Sequence, residues 1–183
     1  SRDLFIDNLS FGSGGSMLEQ NATAVSLLSS GLSHSASIST GTRWDTHDDI
    51  TDQHPLFENL FIGLNDLVAR LQAADLYDDT LIVVISEMTR TPKLNKDGGK
   101  DHWPVTSAML IGSALQGGRT LGGTTPDTLD ALPISLKTGQ VDEAAPTKLE
   151  YPNFIAGVLH AAGGDTEQFL PGTEVLHGLI DEA

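Results

Sequence analysis

The sequence predicts a layered α/β fold, a sheet with helices on both faces, and three observations carry the prediction. Apolar residues recur at helical spacing over 17–30, 53–74 and 151–162. The run Leu81-Ile82-Val83-Val84-Ile85 is apolar on both faces, as a strand covered by helices must be. The alternation of helix and strand along the chain is that of a layered α/β unit. At 183 residues the chain is long enough to bury a sizeable core, and a single domain over 1–183 is expected.

The elements follow in order. Residues 1–16 end in Phe11-Gly12-Ser13-Gly14-Gly15-Ser16 and read as a flexible, linker-like start. No Lys-Ser/Thr pair follows those glycines, so they lack the pattern of a phosphate-cradling loop. Residues 17–30 read as a helix with Leu18, Ala22, Val25 and Leu27 or Leu28 on one face, ended by Gly31. Residues 33–40 read as a strand of small residues. Gly41 to Asp52 reads as a loop. The helix over 53–74 is the clearest, with Leu56, Leu60, Leu64, Leu67, Val68 and Leu71 in register. Thr51 or Asp52 would cap it, and Pro55 suits its first turn. Tyr77 to Thr80 is a turn, 81–86 a strand, 87–105 a polar loop and 107–111 a short strand. Residues 112–150, rich in Gly, Thr, Pro and Asp, read as loops and small strands. A helix over 151–162 turns Phe154, Ile155, Val158, Leu159 and Ala162 inward and stops at Gly163-Gly164.

Two polar clusters follow the predicted strands. The first is Trp44-Asp45-Thr46-His47-Asp48-Asp49, and the second runs from Glu87 through Arg90 to Asp101-His102. In open α/β sheets, ligands bind beyond the carboxyl ends of the strands. The long helix between 33–40 and 81–85 acts as a crossover, so those strands should run parallel and put both clusters on one rim. The polar loop holds no helix that could carry the chain back, so 107–111 should pair antiparallel with 81–85. Asp45, His47, Glu87, Asp101 and His102 could then surround one or two divalent cations.

Each candidate has a plainer reading. Asp45 and His47 would serve equally as loop and helix caps. Glu87 could pair with Arg90, and Asp101 could be a turn residue beside a His102 stacked on Trp103. His54 suits a surface helix start, and His34, His160 and His177 carry no ligand pattern. Arg90 could instead grip an anionic substrate group in bidentate fashion.

Composition bounds the partners. Ten Lys and Arg against 25 Asp and Glu give a formal charge of -15, the wrong sign for nucleic acid or an anionic membrane surface. No apolar run is long enough to cross a bilayer. With no cysteine, a metal site must use oxygen and imidazole donors, which suits Zn, Mn, Mg or Ca. The start, Ser1-Arg2-Asp3-Leu4, has neither an initiator Met nor a signal-peptide pattern, and is expected to be mid-protein sequence.

Three blocks carry a family resemblance. They are Thr42-Arg43-Trp44-Asp45-Thr46-His47, the stretch from Ile85-Ser86-Glu87 through Arg90-Thr91-Pro92 to Asn95, and Gly99-Lys100-Asp101-His102-Trp103-Pro104. Over roughly 17–165 the chain resembles the bacterial family called domain of unknown function 1501. That family usually shows Gly-Trp-Asp-Thr-His, Glu-Phe-Gly-Arg-Thr-Pro and Gly-Arg-Asp-His-Trp-Pro. Here Arg43, Met88, Thr89 and Lys100 depart from the pattern, and no ligand candidate is lost. Members look like the alkaline phosphatase and sulfatase superfamily and are typically exported.

The resemblance implies an alkaline-phosphatase-like fold, of which this chain would be the C-terminal portion. It implies a metal-dependent hydrolase of small or polymer-borne phosphate or sulfate esters in the periplasm or outside the cell. Asp45 and His47 would match one ligand block, Glu87 the strand-end acidic ligand, and His102 with Asp101 the later histidine. Arg90 would steady the anionic group, and the Ser or Thr nucleophile would lie upstream. The competing expectation is a non-catalytic member that binds a cation or a partner.

Overall fold

The computed structural model describes residues 15–40, 43–87, 89–145 and 148–180. Residues 1–14 of the linker-like start expected over 1–16, Thr42 of the first block and Met88 of the second lie outside the described residues. The architecture mixes helices with small sheets, and the chain divides into two compact bodies. The first comprises residues up to 77 together with 95–100, and the second comprises 78–94 and the residues from 101 onward.

The first body is built on two helices, α1 (Met17–Ser29) and α2 (Gln53–Ala73). Ser16 opens α1 with a capping box. Its hydroxyl accepts from the Glu19 amide while the Glu19 carboxylate accepts from the Ser16 amide. Gly31, at φ 67°, closes the helix in the left-handed conformation that a side chain disfavours. Ala24 and Val25 of α1 and Leu64, Leu67 and Leu71 of α2 are buried. The inward face of α1 differs from expectation. Leu18 is 42% exposed and Ala22 lies outside, whereas Asn21 is fully buried. The reason is a polar bond: the Asn21 amide donates to the Gly63 carbonyl at 2.8 Å and to the Asp66 carboxylate at 2.9 Å. Gly63 lets the helices approach, since a Cβ there would collide with the Met17 side chain.

The predicted strand over 33–40 does not form. Its serines and His34 offer no apolar face to bury, and most of the segment is exposed. The Gln20 side chain takes the role of a partner strand. It donates to the Ser39 carbonyl at 2.7 Å and accepts from the Ser39 amide at 2.9 Å. The expected parallel pairing of 33–40 with 81–85 is therefore absent among the described residues. The start of α2 also differs. Asp52 is its N-cap residue but makes no side-chain cap bond. Asp49 instead caps a preceding 3-10 turn, Ile50–Asp52, by accepting from the Thr51 amide at 2.8 Å.

The second body carries two small antiparallel ladders. β1 (Ile82–Val84) pairs with β4 (Met109–Ile111) in the register Ile82 to Ile111, which is the antiparallel pairing expected. β2 (Thr89–Arg90) pairs with β3 (His102–Trp103), so the polar stretch read as loop holds a ladder of its own. Isolated bridges pin the Gly- and Pro-rich stretch, Thr124 to Ala131, Ile134 to Val141 and Pro133 to Lys148. α3 (Tyr151–Ala161) and the short α4 (Thr166–Phe169) follow. The core gathers Ile134, Leu176 and Leu179, with Leu110, Leu121, Leu136 and Val158 packed on it. α3 buries Asn153, Ala156 and Gly157 rather than centring on Phe154 and Leu159. Gly157 is why: a Cβ there would strike the Leu176 carbonyl, so the small side of the helix is the one that can approach. Among the described residues the strands form separate two-stranded ladders rather than one layered sheet, and helices mixed with small sheets keep the chain in the α/β class.

Candidate metal centre

In the first body, the segment before α2 presents Asp45 and His47. His47 Nε2 lies 2.8 Å from Asp45 Oδ1, and both side chains are partly open to solvent, 41% for His47 and 53% for Asp45. Thr46 between them is buried. Its hydroxyl accepts from the Gln53 side-chain amide at 2.9 Å, and its amide donates to the Trp44 carbonyl at 3.1 Å. Burying Thr46 turns its two neighbours outward. Trp44 anchors the segment, with its indole N–H donating to the Thr40 hydroxyl at 2.9 Å and its ring meeting Phe57 edge-on at 5.0 Å. The Asp49 carboxyl is held below its ordinary value by the Thr51 hydroxyl and then by the Thr51 amide.

The turn 95–100 belongs to the same body and lies on this segment. The Asn95 side-chain amide donates to the His47 carbonyl at 2.9 Å. The Lys100 amide donates to the Thr46 carbonyl at 3.3 Å, and the Ile50 amide to the Gly98 carbonyl at 3.4 Å. Gly99 has no room for a side chain, because a Cβ would collide with the His47 carbonyl. Asn95 and Gly99 were not singled out from sequence. An Asn placed before Gly98-Gly99 is a turn signal, and it says nothing about which segment the turn touches.

In the second body, His102 sits on β3 directly opposite Arg90 on β2. Directly paired residues of an antiparallel ladder project on the same face, with Cβ atoms about 5 Å apart. Arg90 and His102 therefore leave the ladder on the same face. Asp101 and Thr91 hold the ladder's end. The Thr91 amide donates to the Asp101 carbonyl at 2.8 Å, and the Asp101 amide to the Thr91 hydroxyl at 3.2 Å. Glu87 is exposed, and its carboxylate accepts from the Ser86 hydroxyl at 3.3 Å. Trp103 points its indole N–H at the Leu129 carbonyl, 3.4 Å away.

Among the described residues, Asp45, His47 and His102 make a group that could hold a metal ion. One carboxylate and two imidazoles are a donor set for Zn, Mn or a similar divalent cation. Glu87 and Asp101 are not members of that group. His34 and His54 are exposed, and His160 and His177 meet edge-to-face in the second body with ring centres 5.1 Å apart.

A family model described as protein of unknown function (DUF1501) matches residues 15–178. No curated protein and no solved structure matches the chain. No helix among the described residues is long and apolar enough to cross a membrane.

Proposed function

Because the chain belongs to the DUF1501 family, we propose that it is part of a metal-dependent hydrolase of phosphate or sulfate esters that works in the periplasm or outside the cell. The observation that carries the reading is the donor set of Asp45, His47 and His102. Chain connectivity supports it. Lys100 is bonded through its amide to Thr46, and His102 follows Lys100 by only two residues, a reach of about 7 Å.

A divalent ion held there would supply positive charge to an anionic transition state. The Asp45 carboxylate and His47 Nε2, 2.8 Å apart, are close enough to face one ion together. Arg90, beside His102 on the ladder, offers a planar fork to two oxygens of a phosphoryl or sulfuryl group. In a chain of net charge -15, an anionic ester needs such concentrated local cations to be held at all. Export and the ester substrate rest on the likeness to the alkaline phosphatase and sulfatase superfamily. Glu87 and Asp101 enter this reading as further candidate ligands beyond that group of three.

The test is metal content of the protein purified without chelator, followed by turnover of generic aryl phosphate and aryl sulfate esters with and without chelator. Near-stoichiometric metal that falls at least about 100-fold in affinity in Asp45→Ala and His102→Ala, together with chelator-sensitive turnover, is the expected outcome. Metal bound through these residues with no ester turned over would favour a cation-binding, non-catalytic member. Full metal retention by both variants would retire the site.

A further inference from the structure

We propose that Asn95 is the positioning residue of the candidate metal centre, a side chain that fixes the His47-bearing segment by gripping its backbone. The inference rests on the metal reading above for its functional meaning, but its geometry lies wholly within the first body.

Both ends of the Asn95 amide are used. Its oxygen accepts from the Asp97 amide at 3.0 Å and the Gly99 amide at 3.1 Å, which shapes the turn 95–100 from within. Its nitrogen donates to the His47 carbonyl at 2.9 Å, across 48 positions of sequence. One planar group thus builds the turn and ties it to the ligand segment. The flanking bonds, Lys100 to Thr46 and Ile50 to Gly98, lie on either side of this tie and need the same approach. Gly98, at φ 86°, takes a left-handed conformation, and Gly99 leaves the His47 carbonyl reachable. The result sets the backbone between Asp45 and Asp48, and with it the direction in which the His47 imidazole leaves the chain. Side chains that orient a metal ligand without touching the ion typically contribute 10- to 100-fold in metal affinity.

The experiment uses the full chain with Asn95→Ala and Asn95→Ser, the second keeping a hydroxyl that can still serve the turn. Two readouts are taken: amide hydrogen exchange in the metal-free protein, and a Co2+ titration followed by visible absorption. The expected result in both variants is an at least 10-fold loss of protection at the amides of Ile50 and Lys100, which donate to the Gly98 and Thr46 carbonyls. Protection in α1 and α2 is expected to stay unchanged. Co2+ affinity should fall about 10- to 100-fold, with an altered band shape. Unchanged protection at Ile50 and Lys100 would overturn the proposal whatever the metal does. Lost protection with unchanged Co2+ affinity and spectrum would equally overturn it, because the grip would then be structural only. If the wild-type protein takes up no Co2+ while the variants lose protection, the metal reading fails and the positioning role falls with it, leaving a structural grip on the His47 backbone.

Discussion

The two bodies bury their cores by opposite routes. In the first, α1 and α2 lay periodic faces against each other, and the contacts between buried residues repeat every three or four positions. In the second, Ile134 comes from an isolated bridge, Leu176 from irregular chain and Leu179 from a 3-10 segment, and their neighbours are drawn from Leu110 to Ile180. The first core is a consequence of pattern, the second of where turns place single residues. The same contrast holds for the polar groups. Asn21 is buried between helices by bonds to a backbone carbonyl and a carboxylate, whereas His102 is exposed on a ladder of two residue pairs.

The largest effects should come from testing the periodic core. Leu71 is 1% exposed, and Leu71→Ala should destabilise by about 2–5 kcal/mol in a denaturant titration. Phe61 lies on the same helix but is 51% exposed, and Phe61→Ala should fall within about 0.5 kcal/mol of wild type. A comparable loss at both positions would mean that the exposed face of α2 is covered in solution. A smaller effect is expected at the helix crossing. Gly63→Ala gains helix propensity worth about 1 kcal/mol but drives a Cβ into the Met17 side chain, a collision of the kind that costs about 1–3 kcal/mol. Alone it should be destabilising. In a Met17→Ala background the same change should become stabilising, and the double-mutant cycle reads the sign reversal directly.

What was legible in the sequence divides along the same line. The three long helices and the antiparallel pairing of β1 with β4 followed from periodicity and from the absence of a crossover. The strand over 33–40 was misread because alternation of serine with small residues has the period of a strand without the apolar face that stabilises one. Nothing in the neighbours of Asn21 announces that its side-chain N–H groups would donate to Gly63 and Asp66, some forty positions on. At the site, residue chemistry and the three motif blocks singled out Asp45, His47, Glu87, Asp101 and His102, of which Asp45, His47 and His102 form a group that could hold a metal ion. Asn95 and Gly99 were passed over because their work is done through the backbone of another segment. Long-range grips of this kind leave no periodic trace.

In the turn-built body, conformational strain gives a test of intermediate size. Leu129 sits at φ 55°, a left-handed conformation that costs a side chain about 1–2 kcal/mol. Its carbonyl accepts from the Trp103 indole. Leu129→Gly relieves the strain while keeping that carbonyl, and should leave stability unchanged or raise it by up to about 1 kcal/mol. A clear loss would show that the Leu129 side chain, rather than its backbone, is what the second body needs.

The smallest effect concerns acid, and it returns to the helical pair. The Asp66 carboxyl is held below its ordinary value of 3.8, first by the bond from Arg70 and then by the bond from Asn21. Arg70 Nε lies 2.7 Å from the carboxylate. A carboxyl depressed in the folded state contributes stability that is fully present above the unfolded value and lost as pH falls through the folded one. Asp66→Asn removes that ionisation, so its stability should be lower than wild type at neutral pH. The gap should close as the pH is taken down through and below 3.8. Asn21→Ala in the same series leaves Arg70 as a partner and should shift the acid limb less than Asp66→Asn does. If instead Asn21→Ala moves the limb as far, the buried amide rather than the guanidinium dominates this carboxylate. The helical pair would then be held, in part, by a long-range polar grip of the kind seen at Asn95.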